Sequence, residues 1–104
     1  MEKLKESKII EIKDFDNTYK FRIFLFDVDT GLDFFLKMFE KDGLDKEKID
    51  MLLKQAILLQ DKEELNQKFS YEMATSIFRN PFTIMNLAVK IKEFQDVFTK
   101  DFKI

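Results

Sequence analysis

Apolar and polar residues alternate near the start of the chain. Residues 8–13 (KIIEIK) and 19–25 (YKFRIFL) both read as strands. In the second, Phe21, Ile23 and Leu25 alternate with Lys20 and Arg22, the period of a half-buried strand. Between them lies DFDNT, Asp14 to Thr18, whose Asp and Asn residues tolerate left-handed backbone and form side-chain turns. The pattern predicts a β-hairpin over 8–25 with a five-residue loop. Two strands alone are marginal in water, so the hairpin must lean on helices or on a partner.

From residue 30 the period lengthens, and a helical region is predicted over 30–99. Asp29 or Thr30 can cap a first helix, with Asp33 in its first turn. Leu32, Phe35, Leu36 and Phe39 fall on one face, which Phe34 and Met38 widen. Gly43 suits a left-handed stop. Asp45 caps a second helix, predicted over 46–60, with Ile49, Leu52, Leu53, Ala56 and Leu59 or Gln60 inward and Ile57 and Leu58 broadening the stripe. Asp61 to Lys68 reads as a charged helix or a solvated connection. Ser70 can cap a short helix over 71–79 with Met73, Ile77 and Phe78 inward. Asn80-Pro81 starts a last helix running to about Thr99, with Ile84, Leu87, Ala88, Ile91, Phe94, Gln95 and Phe98 on its face. The expectation is one α+β domain over 1–104, an N-terminal β-hairpin followed by about four helices.

Composition narrows the function classes. Thirteen of the 104 residues are Phe, and none is His or Cys. That removes the commonest general base, the commonest metal ligand and the best thiol nucleophile. No catalytic residue, metal ligand or cofactor is expected, and the chain is not expected to be an enzyme. The net charge is −2, with basic and acidic residues balanced in every third of the chain. No basic stripe is visible along the sequence, so nucleic acid is not an expected partner. No stretch approaches the ~20 apolar residues of a membrane span, and the start MEKLKESKII lacks the apolar run of a signal peptide. A cytoplasmic location, with no membrane partner, is the expectation.

One segment suggests chemistry. FLFDVDTGL, Phe24 to Leu32, runs from an apolar strand into Asp27-Val28-Asp29, as the haloacid-dehalogenase-like phosphatases begin. Thr30 and Gly31 stand in reversed order relative to that family. Its parallel sheet also has no counterpart in a chain that reads as helix after Leu32. The simpler reading is that Asp27 ends the strand while Asp29 and Thr30 cap the helix. Asp27, Asp29 and Asp33 also miss the EF-hand spacing, since Gly31 falls at position 5 and Met38 at position 12.

Phe21, Phe35, Phe39 and Phe78 read as plain core. Phe94, Phe98 and Phe102 lie at i, i+4 and i+8 and form one ridge, the candidate partner-binding residues. The ridge either packs on the hairpin or is in part an exposed docking surface. The helices carry wider apolar faces than a chain of this length readily buries, which motivates the second reading.

The order of elements resembles the tail assembly chaperones of long-tailed bacteriophages and prophages. The resemblance lies in layout: a hairpin carrying a basic-and-apolar strand, YKFRIFLFDV (Tyr19 to Val28), then a helical region. It closes with FSYEMATSIFRNPFTIMNLAVKIKEFQDVF (Phe69 to Phe98), where a short helix, an Asn-Pro joint and a long amphipathic helix succeed one another. It implies a non-enzymatic protein that coats a long, helical tape-measure protein in the bacterial cytoplasm before the tail tube forms. Self-association is also possible. Two alternatives stay open: a small regulatory or immunity-type protein that binds a single folded target, and, more remotely, a phosphatase-like fragment.

Overall fold

The computed structural model describes residues 7–59 and 67–100. Eight elements follow in chain order: β1 (Ser7–Asp14), β2 (Asn17–Phe24), α1 (Val28–Glu40), α2 (Lys46–Leu53), β3 (Ala56–Leu59), β4 (Gln67–Lys68), α3 (Tyr71–Ile77) and α4 (Pro81–Gln95). A 3-10 turn, Asp96–Phe98, follows α4. The fold is α+β, with the expected hairpin at its N-terminal side.

The hairpin is tighter than predicted. Asp14 pairs with Asn17, so the loop has two residues rather than five. The left-handed position falls on Phe15 (φ 52°), not on an Asp or Asn. An aromatic side chain there is strained, because its Cβ crowds the carbonyl that follows.

The second departure is β3. The predicted helix 46–60 stops at Leu53, and Ala56–Leu59 forms a strand beside β2, with Ile23 opposite Ala56 and Phe21 opposite Leu58. A run of four apolar residues fits a buried helix turn and a strand equally well by pattern. Tertiary pairing decides: β2 needs a second neighbour, and Phe24 N–H donates to Gln55 O at 2.8 Å, aligning the two strands. Ile57 and Leu58 therefore face opposite ways instead of widening one helical stripe. The short β4 adds a fourth strand, giving an antiparallel sheet in the order β1-β2-β3-β4. The stretch between β3 and β4, part of the predicted charged connection, lies outside the described residues.

The helices begin where the sequence supplies caps. Asp45 accepts from Lys48 N–H at 3.0 Å, Ser70 from Met73 N–H at 3.1 Å and Asn80 from Phe82 N–H at 3.0 Å. For α1 the cap is Asp27, which accepts from Thr30 N–H at 2.7 Å, with Asp29 already inside the first turn. The strand therefore ends sooner and the helix starts earlier than Asp29 or Thr30 would have set it. After α1, Gly43 takes φ 94°, as its sequence position suggested.

The core lies against one face of the sheet. Ile12, Phe21, Ile23, Ala56 and Leu58 from the strands meet Phe34 of α1, Ile49, Leu52 and Leu53 of α2, Ala74 of α3, and Leu87, Ala88 and Ile91 of α4. Two aromatic groups anchor it. Phe21, Phe69 and Phe78 meet edge-on or tilted, with Phe21 and Phe69 centroids 4.9 Å apart. Phe26, Phe34 and Phe35 form the other, with Phe26 and Phe34 5.1 Å apart. Gly31 packs closely on that second group: a Cβ there would stand 3.2 Å from Phe26 Cβ, so Phe26 would have to give by a few tenths of an ångström. Truncating a buried aromatic such as Phe34 to Ala costs about 3–5 kcal/mol.

Buried polar groups tie distant parts of the chain together. Asp14, fully buried, accepts from Arg79 N–H (2.9 Å), Asn80 N–H (3.0 Å) and the Thr83 hydroxyl (2.8 Å), which fixes the hairpin tip to the start of α4. Gln95, also fully buried, accepts from Phe26 N–H (2.9 Å) and donates to Phe24 O (2.8 Å), which fixes the end of β2 to the end of α4. Lys48 Nζ donates to Lys41 O and Gly43 O, closing the α1–α2 turn. Every buried side-chain polar atom among the described residues has a partner.

A candidate interaction surface

The face of α1 that the sequence assigned to the core is largely the one that stays outside. Gly31 and Phe34 are buried, and Phe35 and Met38 are half-buried against the core. Leu32, Leu36 and Phe39 remain 58%, 51% and 63% exposed, and Val28 91%. Phe39 is therefore not core, and Phe35 sits at the rim. The helix carries apolar residues around most of its circumference, so periodicity showed that it is amphipathic but not which arc turns inward. Gly31 turns its bare backbone toward Phe26, where a Cβ would make a tight 3.2 Å contact with Phe26 Cβ.

The outward residues form an ordered seam. Val28, Leu32, Phe35 and Phe39 are spaced by four, three and four, the a/d spacing with which one helix receives another. Leu36 lies beside them. At the start of the seam, Asp27, Val28, Gly31, Leu32, Phe35 and Phe98 line an open cleft of about 190 Å³ with almost wholly apolar walls. Phe98 reaches this cleft from the 3-10 turn after α4, because Gln95 holds the end of α4 beside the start of α1. The flanks of the seam are polar. Lys37 Nζ lies 3.5 Å from Asp33 and 3.3 Å from Glu47, and these partners, the Glu47 hydrogen bond foremost, raise its pKa. A second exposed stripe, Phe82, Met85 and Val89, runs along α4.

The three residues of the predicted ridge separate. Phe94 is half-buried against the core, with Lys8 Nζ 5.8 Å from its ring centroid. Phe98 is exposed and joins the α1 cleft. Phe102 lies outside the described residues. Sequence reasoning thus placed one residue of this surface and missed Val28, Leu32, Leu36 and Phe39. The available signal was the width of the α1 face, which exceeded what one neighbour covers.

The acidic pair that suggested chemistry is arranged as a helix start. The Thr30 amide, followed by its hydroxyl, holds the Asp27 carboxyl below the usual aspartate value. Asp29 is exposed in the first turn. The described sheet is antiparallel throughout, whereas the phosphatase arrangement places its aspartates at the end of a parallel strand. Among the described residues no group of three acidic side chains is placed to hold a metal ion. No described helix is long and apolar enough to cross a membrane.

Comparison with known proteins leaves the chain without a match: none among protein-family models, curated proteins or solved structures.

Proposed function

We propose that this chain is a non-enzymatic protein-binding module of the phage tail assembly chaperone type. It acts in the bacterial cytoplasm and shields a long, helical, tape-measure-like client through its first helix. The observation that carries this reading is the α1 seam: four apolar side chains at a/d spacing, Val28, Leu32 and Phe39 exposed and Phe35 at the rim of the core, on a helix whose other side is anchored in the core. Such spacing accepts a helix rather than an extended strand, because knobs at alternating three- and four-residue intervals fit the ridges of another helix. The cleft at Phe98 and Leu32 would take one large side chain of the client as an anchor. Modest affinity per copy, multiplied along a repetitive client, holds the assembly and still allows release.

Co-expression tests the proposal. A long tape-measure-type helical segment, insoluble alone, stays soluble with the wild-type chain. It precipitates with the Leu32→Asp/Phe39→Asp double variant, although that variant keeps its fold. A client that precipitates in both cases, or stays soluble in both, rules out the α1 seam as the holding surface. A tight one-to-one complex with a folded protein would instead support the regulatory or immunity-type alternative.

A further inference from the structure

The sheet has a second face, and its residues take no part in the core. Its rows follow from the strand register. Ile9, Arg22, Ile57 and Lys68 stand side by side across all four strands, and Glu11, Lys20 and Leu59 form the next row. Phe24 and Lys13 lie beyond these rows on the same face. Ile9 is 52% exposed, and Phe24, Ile57 and Leu59 are half-buried without belonging to the core cluster. The shortest dimension of the molecule, 20 Å, corresponds to two layers, one sheet and one tier of helices.

Charge is concentrated on this face in a way that reading along the chain concealed. Among the described residues the strands place Lys13, Lys20, Arg22 and Lys68 on this face with one carboxylate, Glu11, a balance of +3 on a chain whose total is −2; at the edge Lys68 also acts on the Asp27 carboxylate. The pairing is loose: Lys20 lies 4.0 Å from Glu11, and Arg22 reaches Ser7 Oγ at 3.5 Å. Residues of alternating direction and distant sequence combine to make the patch, which is why charge counts by segment look balanced.

We infer that this sheet face, open among the described residues, binds an acidic amphipathic helix from a protein partner, which would complete a helix–sheet–helix sandwich. Like charge disfavours two copies stacking through the same face. Apolar positions flanking Arg22 suit a partner with its own apolar stripe, and the guanidinium among them is a fitting anchor for a carboxylate. A nucleic acid fits less well. Single strands need exposed aromatic faces to stack on, and here the interleaved residues are aliphatic apart from Phe24, with Glu11 set against phosphates. The rows lie on the strands and the seam on α1, the two adjoining where Lys68 acts on Asp27, so Ile9, Arg22 and Ile57 give readouts independent of the proposed client.

Isotope-labelled protein titrated with three probes provides that test: a synthetic Glu/Leu amphipathic helix, its Lys/Leu counterpart, and a short oligo-dT. The Glu/Leu peptide is expected to shift the amides of Ile9, Arg22, Ile57 and Lys68 while leaving Leu32, Leu36 and Phe39 unmoved. Its affinity should fall as salt rises. Arg22→Glu should weaken it about tenfold. Lys68→Glu, at the sheet edge, gives the same direction of change should Arg22→Glu disturb the fold. The inference is overturned if the Glu/Leu peptide does not bind, if it shifts α1 instead, or if the Lys/Leu peptide binds equally well. Tighter binding of oligo-dT at this face, or full affinity in folded charge-reversed variants, would overturn it too.

Discussion

Phe15 and Asp14 are neighbours with opposite energetics. Phe15 holds a left-handed backbone at the hairpin tip and is largely exposed, so its strain is offset by little burial. Replacing it with Gly is expected to stabilise the protein by about 1 kcal/mol, read as a rise in melting temperature. Phe15→Ala, which keeps the strain, should not reproduce the gain. For Asp14, burial favours the protonated form. The Arg79 amide, the Thr83 hydroxyl and the Asn80 amide outweigh it and hold the carboxyl below its usual value of 3.8. A depressed folded pKa contributes stability above the unfolded value and loses it as pH falls through the folded one. Stability measured against pH should therefore decline below about pH 4, and Asp14→Asn should lower the plateau and flatten that decline. Asp27, Asp45 and Asp50 are shifted in the same direction, so part of the acid limb survives in the variant. No histidine contributes a step between pH 5 and 8.

Among the elements, legibility followed the strength of local chemistry. Asp45, Ser70 and Asn80 with Pro81 marked their helices because a cap is a property of one residue and its next few neighbours. The α4 face was legible because it is wide and regular, and Leu87, Ala88, Ile91 and Gln95 are indeed buried. Ala56–Leu59 was not, since only the pairing of Ile23 and Phe21 from far upstream makes it a strand. The rotation of α1 was hidden for a similar reason, since the arc of Gly31 and Phe34 turns toward Phe26 and the core, which lie outside the helix. These two elements separate core from surface experimentally. Leu53→Asp, at a fully buried α2 position, should abolish the folded state by far-UV circular dichroism. Leu36→Asp, on the α1 seam, should change the melting temperature little, because its side chain already meets solvent.

At the scale of the molecule, two polar connections join sequence-distant halves. Asp14 binds residues 79, 80 and 83, and Gln95 binds residues 24 and 26. The hairpin and α4 should therefore unfold together, and melts followed by near-UV and far-UV signals should superimpose. Gln95→Leu leaves the Phe26 N–H and Phe24 C=O without their partner. It should cost about 2–4 kcal/mol and shift both signals equally. Separate shifts would mean that the halves are independent units.

The position of α4 in the chain also has a consequence during synthesis. β1, β2 and β3 are complete by residue 59, but α4, which packs on β1 and β2, spans Pro81–Gln95. A ribosome adds those intervening residues over roughly 2–7 seconds. Throughout that interval the nascent sheet shows water both its apolar face and its basic one. The chain is thus most vulnerable to mispairing before it is released, and slowing translation between residues 59 and 95 should lower its soluble yield.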